Sequence, residues 1–379
     1  MHSETGGRTP CALSARRAHS VRVSTPGRIC LFGEHQDYLQ LPVIPCAISL
    51  RIFVEGQHNP DPTVILDLPD IDSEDSFPLQ DAAEYRDERD YFRSAINVMR
   101  REGFTFSQGV RCTVHGNIPI NSGTSSSSAL VVTWVNFLAR MSDQHRGLDA
   151  MLCARLAHAA EVVEFHEPGG MMDHYSTACG GVISLEFFPE MKIERMPATL
   201  GRFVLGDSRQ PKDTKGILAR VKNQVLAATG ILREKVPQFS LHTVRSEELD
   251  HLRHLLTPQQ LTLLEGTVRN RDITAQAKQE LRKNPVDHRK IGALLTEHQS
   301  ILRDVLKIST PKIDTMLAAA MAAGAYGGKI NGSGGGGCMF AYAPENTEVV
   351  AQAIEEAEGK AYIVSSDQGT RAELTGDDA

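Results

Sequence analysis

Nothing in the 379-residue chain approaches the ~18-residue apolar run that a membrane-crossing helix needs, and no membrane partner is expected. Its seven cysteines, at 11, 30, 46, 112, 153, 179 and 338, form no Cys-x-x-Cys pair. That scatter argues against a zinc site or a disulfide frame and fits a reducing, cytoplasmic setting. A basic excess is also missing. Lys and Arg total 40 against 47 Asp and Glu, and the acids crowd between Asp67 and Asp90, which disfavours a nucleic-acid partner. There is no internal repeat and no low-complexity linker. A Walker-type G-x-x-x-x-G-K-S/T loop is absent as well. The first twenty residues are basic and lack the apolar stretch of a secretory signal, so 1–19 read as a flexible tail.

What remains is an ordinary globular composition, 41% hydrophobic and 23% charged, with length for two domains of ~150 residues. The first half alternates short strand patterns with turns. Val21 and Val23, then Ile29 to Phe32, read as two strands broken by Thr25-Pro-Gly27; Val110, Cys112 and Val114 alternate as a half-buried strand. Helical patterns follow over Ala129–Met141 and Asp149–Phe165, then a strand near Val182–Phe187. From about Gly216 to Leu306 the chain is helical, and Thr310-Pro311 caps a helix that ends at Gly324. The stretch from Gly328 to Ala341 reads as strand, glycine turn and strand. The expected architecture is mixed α+β in two parts, 20–195 and 196–379.

Two segments carry chemistry. Pro119-Ile-Asn-Ser-Gly-Thr-Ser-Ser-Ser-Ser-Ala129 runs into a helix. A helix start offers free N–H groups and the positive end of its dipole to an anion, Gly123 permits close backbone approach, and serine hydroxyls add donors. A plain helix cap explains the same residues equally well. The run Gly332-Ser-Gly-Gly-Gly-Gly337 matches G-x-G-x-x-G, but a strand-like stretch comes after it where a dinucleotide site needs a helix. That excludes the dinucleotide reading.

Three segments together resemble the motifs of the GHMP family of small-molecule kinases, in the family's order. Pro26-Gly-Arg-Ile-Cys-Leu-Phe-Gly-Glu-His-Gln-Asp-Tyr38 is similar to the first motif in its galactokinase form. Pro119 to Ala129 resembles the second, and Lys329-Ile-Asn-Gly-Ser-Gly-Gly-Gly-Gly-Cys338 the third. The resemblance implies an α+β two-domain GHMP kinase fold with the active site in the cleft. Its N-terminal half would be like the second domain of ribosomal protein S5, and its C-terminal half ferredoxin-like. It also implies ATP and Mg²⁺ as cofactors, a small-molecule sugar substrate, and a monomer or weak dimer.

Carried over residue by residue, the resemblance makes Asp173 of Gly169-Gly-Met-Met-Asp173 the catalytic base, with Arg28 beside the acceptor hydroxyl. Glu34, His35, Asp37, Gly170 and Asp173 would hold the substrate. Pro119, Ser122, Gly123, Thr124, Ser125, Ser126, Ser127, Ser128, Gly334 and Gly335 would bind ATP. Glu161 and Ser127 would hold the metal. Ser128 stands where the family has alanine, so the two serines could trade roles, and Glu164 is an alternative to Glu161. Without the resemblance, Asp173 reads as a loop cap and Arg28 as a surface ion pair.

The resemblance points to an ATP-dependent sugar kinase acting on the anomeric hydroxyl of galactose or a galactose-like aldose. His298, Leu302-Arg-Asp304 and Ala323-Gly-Ala-Tyr-Gly327 are also galactokinase-like. A non-catalytic sugar and ATP sensor and a mevalonate-type kinase are the alternatives, and Lys212-Asp-Thr-Lys215 has the flavour of the latter. Four departures from the galactokinase pattern stand out: Cys30 in place of asparagine, Leu39-Gln-Leu41 in place of a polar turn, His174 in place of glutamine, and Gly206-Asp-Ser208 in place of an Asn-Ser pattern.

Overall fold

The computed structural model describes residues 20–375, apart from 80, 81, 121, 168, 212 and 213. The reading of 1–19 as a flexible tail lies outside the described residues, as do Lys212 and Asp213 of the mevalonate-like segment. No helix among the described residues is long and apolar enough to cross a membrane.

The chain opens with one strand, β1 (Ser20–Phe32), rather than the two expected. Thr25-Pro-Gly27 bends the strand through a register shift at Pro26/Gly27 without ending its pairing to β2 (Ile44–Asn59). A proline can sit within a strand where such an irregularity removes the need for its N–H. A short 3₁₀ turn, Asp37–Leu39, separates the two strands. β3 (Thr63–Leu68), β4 (Ser73–Pro78), α1 (Tyr91–Arg101) and β5 (Gly109–Gly116) come next. After them are α2 (Ser126–Met141), α3 (Ala150–His158), α4 (Met172–Cys179), and the hairpin of β6 (Ile183–Glu186) with β7 (Lys192–Arg195).

The second part starts with β8 (Phe203–Asp207). It continues through α5 (Thr214–Lys235), α6 (Ser246–Leu252), α7 (Pro258–Leu281), α8 (His288–Asp304) and α9 (Pro311–Ala322). The Thr310 side chain caps α9 as its sequence predicts, accepting from the Ile313 amide. β9 (Gly327–Ile330), β10 (Cys338–Tyr342), α10 (Thr347–Glu356), β11 (Lys360–Val364) and β12 (Arg371–Thr375) complete the chain.

The strands form a six-stranded sheet in the order β12-β1-β2-β5-β3-β4 and a four-stranded sheet in the order β11-β8-β10-β9. β7 ends at Arg195 and β8 opens the second sheet, while β12, from the far end of the chain, joins the first. β12 runs back to pair with Ser20–Ser24. Arg51 fastens this return through Asp367 and the Gly369 carbonyl, at 2.7 and 2.8 Å.

Alternation along β1 explains how it serves both halves. Val21, Val23 and Cys30 belong to the apolar core under α1–α4, whereas Ile29 and Leu31 belong to the core around the second sheet. Motif residues at the end of β1 are thus held between the two cores. A third, smaller cluster joins Leu39 and Leu41 to Val225, Leu232, Leu263, Leu264 and Val268 of α5 and α7. The two leucines that replace a polar turn are the apolar anchor of the turn carrying Asp37.

Candidate active site

Three chain segments converge where β1, the start of α2 and the β9–β10 turn meet. Gly27 makes the first approach possible: a Cβ there would lie 2.9 Å from the Thr124 carbonyl oxygen. Next to it, the Arg28 amide donates to that carbonyl at 3.1 Å.

The loop before α2 divides into residues that shape it and residues that face outward. Ser122 donates to the Pro119 carbonyl at 2.8 Å and lies 2.8 Å from the Thr124 hydroxyl, and both side chains are buried. Their hydroxyls are committed within the loop. Ser125, at the helix N-cap, adopts a left-handed φ of 61°, the kind of strained backbone that clusters at ligand clamps. Its buried hydroxyl has no partner at hydrogen-bond distance, although it stands near enough to Asp173 to help hold that carboxyl down. Ser127 is exposed and Ser128 buried.

Arg28 and Asp173 form the centre. The Arg28 Nε donates to Asp173 Oδ1 at 2.8 Å, and a terminal nitrogen approaches the same oxygen at 2.7 Å. The other terminal nitrogen donates to the Gly123 carbonyl. Burial pushes the Asp173 carboxyl up, but the Arg28 charge and hydrogen bonds prevail and hold it below the usual carboxylate range. At neutral pH it is ionised, with its side chain 31% exposed.

Asp37 stands against the same spot. Its Oδ1 accepts from the Tyr38 amide at 2.9 Å, and its Oδ2 packs on Gly170, where a Cβ would lie 1.9 Å away. Only glycine leaves room for Asp37 here. Burial, and after it the Asp173 charge, raises the Asp37 carboxyl from 3.8 to about 6.

Glu34 and His35 have a different setting. Glu34 is paired with Lys329 at 2.6 Å, and its second oxygen accepts from the Gly332 amide at 2.9 Å. The Lys329 ammonium also donates to the Cys30 and Ile330 carbonyls, so all three of its protons are placed. His35 contacts the Ser333 carbonyl through Nε2 at 3.0 Å and the Tyr38 hydroxyl through Nδ1 at 2.9 Å. A carbonyl can only accept, so Nε2 carries the proton and Nδ1 receives the Tyr38 O–H. Burial lowers the imidazole to about 4, which keeps it neutral. These two residues tie the first segment to the third and have their polar groups engaged by protein.

Glu161 lies beyond α3 in a π turn, Ala159–Val163, rather than in the continuous helix its sequence predicts. Such a turn carries an extra residue and re-aims the side chains around it, a device frequent at functional sites. The Glu161 Oε2 sits 2.7 Å from His174 Nε2, with Ser127 and Ser128 alongside. Burial pushes this carboxyl up, but His174 and the two serine hydroxyls outweigh it, leaving Glu161 ionised. Glu164, by contrast, faces Arg101 and Tyr85.

In the third segment the Gly335 amide donates to the Ile308 carbonyl at 2.7 Å, and Gly334 packs on Ile308. The segment is thereby anchored to the connection between α8 and α9. Sequence reasoning gives Lys329 and Asn331 no role of their own, and treats Tyr38 only as part of the sugar-pocket run that ends the first motif. Lys329 and Asn331 are both wholly buried. The signal was present in both, since a lysine in a buried strand and an asparagine directly after it need partners.

Three family models match stretches of the chain. Residues 90–181 match the GHMP kinases N terminal domain, and 277–362 match the GHMP kinases C terminal domain. Residues 15–58 match the galactokinase galactose-binding signature. A mevalonate kinase of Thermococcus gammatolerans is 28% identical over 93% of this chain and 98% of its own length. A galactokinase of Mannheimia succiniciproducens is 26% identical over 93% and 95%. The crystal structure of Lactococcus lactis galactokinase complexed with galactose superposes with a TM-score of 0.82 at 21% identity, covering 93% of this chain and 95% of that one.

Proposed function

The chain belongs to the GHMP kinase family, ATP-dependent phosphotransferases with an alcohol acceptor, and from that premise we propose that its acceptor is the anomeric hydroxyl of galactose or a galactose-like aldose. The observation that carries the reading is the packing of Asp37 on Gly170, close enough to Asp173 for the two charges to act on one another. Two neighbouring carboxylates are good acceptors for the hydroxyls of a neutral polyol. An acceptor bearing its own carboxylate would meet like charge there, because the adjacent cation, Arg28, is already committed to Asp173. The galactose-binding signature covers Glu34, His35 and Asp37 and supports the same choice.

In this reading Asp173 takes the proton from the anomeric hydroxyl as its oxygen attacks the γ-phosphorus and ADP leaves. Arg28 keeps Asp173 ionised and aligned, and stabilises the charge that develops. The phosphates lie against the α2 N-terminus, with the Ser125 hydroxyl, buried and unpartnered, as an added donor. Asp37 accepts a hydroxyl of the sugar. Glu34 and His35 act indirectly, by fixing the turn that presents Asp37.

The donor set fits Mg²⁺: an ionised Glu161 and the hydroxyls of Ser127 and Ser128 are hard oxygen ligands of the kind such a cation takes. When bound, the ion would neutralise phosphate charge. Ser127 is the better placed of the two serines because it is exposed.

A second reading, a mevalonate kinase, is favoured by the nearly full-length match to the Thermococcus protein. Coupled ADP release with ATP, Mg²⁺ and a panel of aldoses plus mevalonate separates the two. Turnover with galactose or a near relative, and none with mevalonate, is expected. Turnover with mevalonate alone would overturn the sugar reading.

A further inference from the structure

Asn331 stands at the junction of all three motif segments, though the chemistry above gives it no part. Its side chain is wholly buried. The Oδ1 accepts from the Cys30 amide at 2.9 Å, and the Nδ2 donates to the Gly123 carbonyl at 2.8 Å. The amide orientation is fixed by these neighbours, because Cys30 N–H can only donate and a carbonyl can only accept. The Gly123 carbonyl also receives Arg28, the residue that holds Asp173. One carbonyl oxygen of the phosphate loop therefore takes a donor from β1 and a donor from the segment after β9, filling both its lone pairs.

We infer that Asn331 is a positioning residue, which sets the Arg28–Asp173 pair against the phosphate loop through the Gly123 carbonyl. This rests on reading Asp173 as base and the α2 N-terminus as phosphate site, and it is independent of which alcohol is phosphorylated. Asn331 touches no reacting atom. Its action runs through Gly123, where the nucleotide loop turns, and through Cys30, two residues along β1 from Arg28. Cys30 stands where galactokinases carry an asparagine, and its backbone amide is bound by an asparagine from the second half of the chain. A misplacement of Arg28 and the loop relative to one another would reach the transition state without altering the acceptor pocket around Asp37.

Two variants of the full chain test this, assayed with galactose or whichever alcohol of the panel turns over. Asn331→Asp keeps an acceptor for the Cys30 N–H and loses the donor to Gly123. Asn331→Thr keeps both functions in one hydroxyl, which can accept and donate. Asn331→Asp is expected to melt below wild type, because a buried carboxylate oxygen would face the Gly123 carbonyl with no proton to share; its folded fraction should lose kcat on the order of 10²-fold and keep its acceptor KM. Weakened ADP binding by calorimetry should accompany that loss, and Asn331→Thr should restore most of the rate. Wild-type kcat in Asn331→Asp would overturn the inference, as would a threonine variant as impaired as the aspartate one. Equal damage to kcat and acceptor KM, with a collapsed melting temperature, would mark Asn331 as merely structural. Asp173→Asn, assayed in parallel, isolates the premise: if it keeps its rate, the reading of the base has failed rather than the role of Asn331.

Discussion

Glu34 and Asp37 lie three residues apart, yet they belong to two differently built regions. Glu34 is part of a floor shared by both halves of the chain, where the side chains of Glu34, Lys329 and Asn331 are paired at 2.6 to 3.0 Å. Asp37 belongs to a wall, a half-buried 3₁₀ turn anchored through Leu39 and Leu41 on the apolar faces of α5 and α7. In the floor a carboxylate is neutralised, and its role is to hold backbone segments in register. In the wall a carboxylate is held by backbone amides and left facing its neighbour Asp173. On the proposed reading, the floor would serve chemistry common to the family and the wall would set the acceptor. Fold likeness to kinases of different substrates is consistent with that division, since a fold does not choose the substrate.

The contrast can be broken at its strongest point first. Asp173→Asn should lower kcat by about 10²–10⁴-fold for every acceptor while ATP still binds, measured by single-turnover kinetics and calorimetry. Activity near wild type would remove Asp173 as base. Glu161→Gln comes next. It should raise the Mg²⁺ concentration needed for half-maximal rate by on the order of tenfold or more, and an unchanged metal titration would sink that assignment.

The wall is probed by Asp37→Asn, whose effect should depend on acceptor and on pH. A carboxyl raised to about 6 binds its proton more tightly in the native state than at its unfolded value of 3.8. Its contribution to stability is complete below 3.8 and is lost as pH rises through about 6. Asp37→Asn should therefore stabilise the protein at pH 7 by roughly 1 kcal/mol, after allowance for the half-exposed position, with the gain vanishing near pH 4. The acid limb of kcat/KM near pH 6 should disappear in the same variant. A variant that retains this limb would assign it to another group. Asp173 runs the opposite way: its lowered carboxyl contributes stability above 3.8, lost as pH falls through its native value.

Local signals made much of the floor legible in the sequence. Helix α2 begins within the serine run, Thr310 caps α9, and the strand–turn–strand around Gly328–Ala341 folds as read. Long-range pairing was not legible. Nothing near Arg371–Thr375 signals that it returns to β1, because an edge strand's partner is set by tertiary packing and by the Arg51 latch. The π turn at Glu161 escaped for a related reason. Its apolar spacing is that of an α-helix, and the extra residue shows only in backbone geometry. The site residues Asn331 and Lys329 were visible as polar groups in an apolar setting, but their partners lie about 300 positions away. Leu39 and Leu41, read as departures from a family pattern, acquire their meaning only with α5 and α7 packed against them.

The central claim is that the paired carboxylates at Asp37 and Asp173 present a neutral sugar to ATP. Phosphorus and proton NMR of the product formed from ATP and galactose tests it most directly. A single new phosphate coupled to the anomeric proton is the predicted result. No phosphate on any aldose, with phosphorylated mevalonate formed under the same conditions, would contradict it.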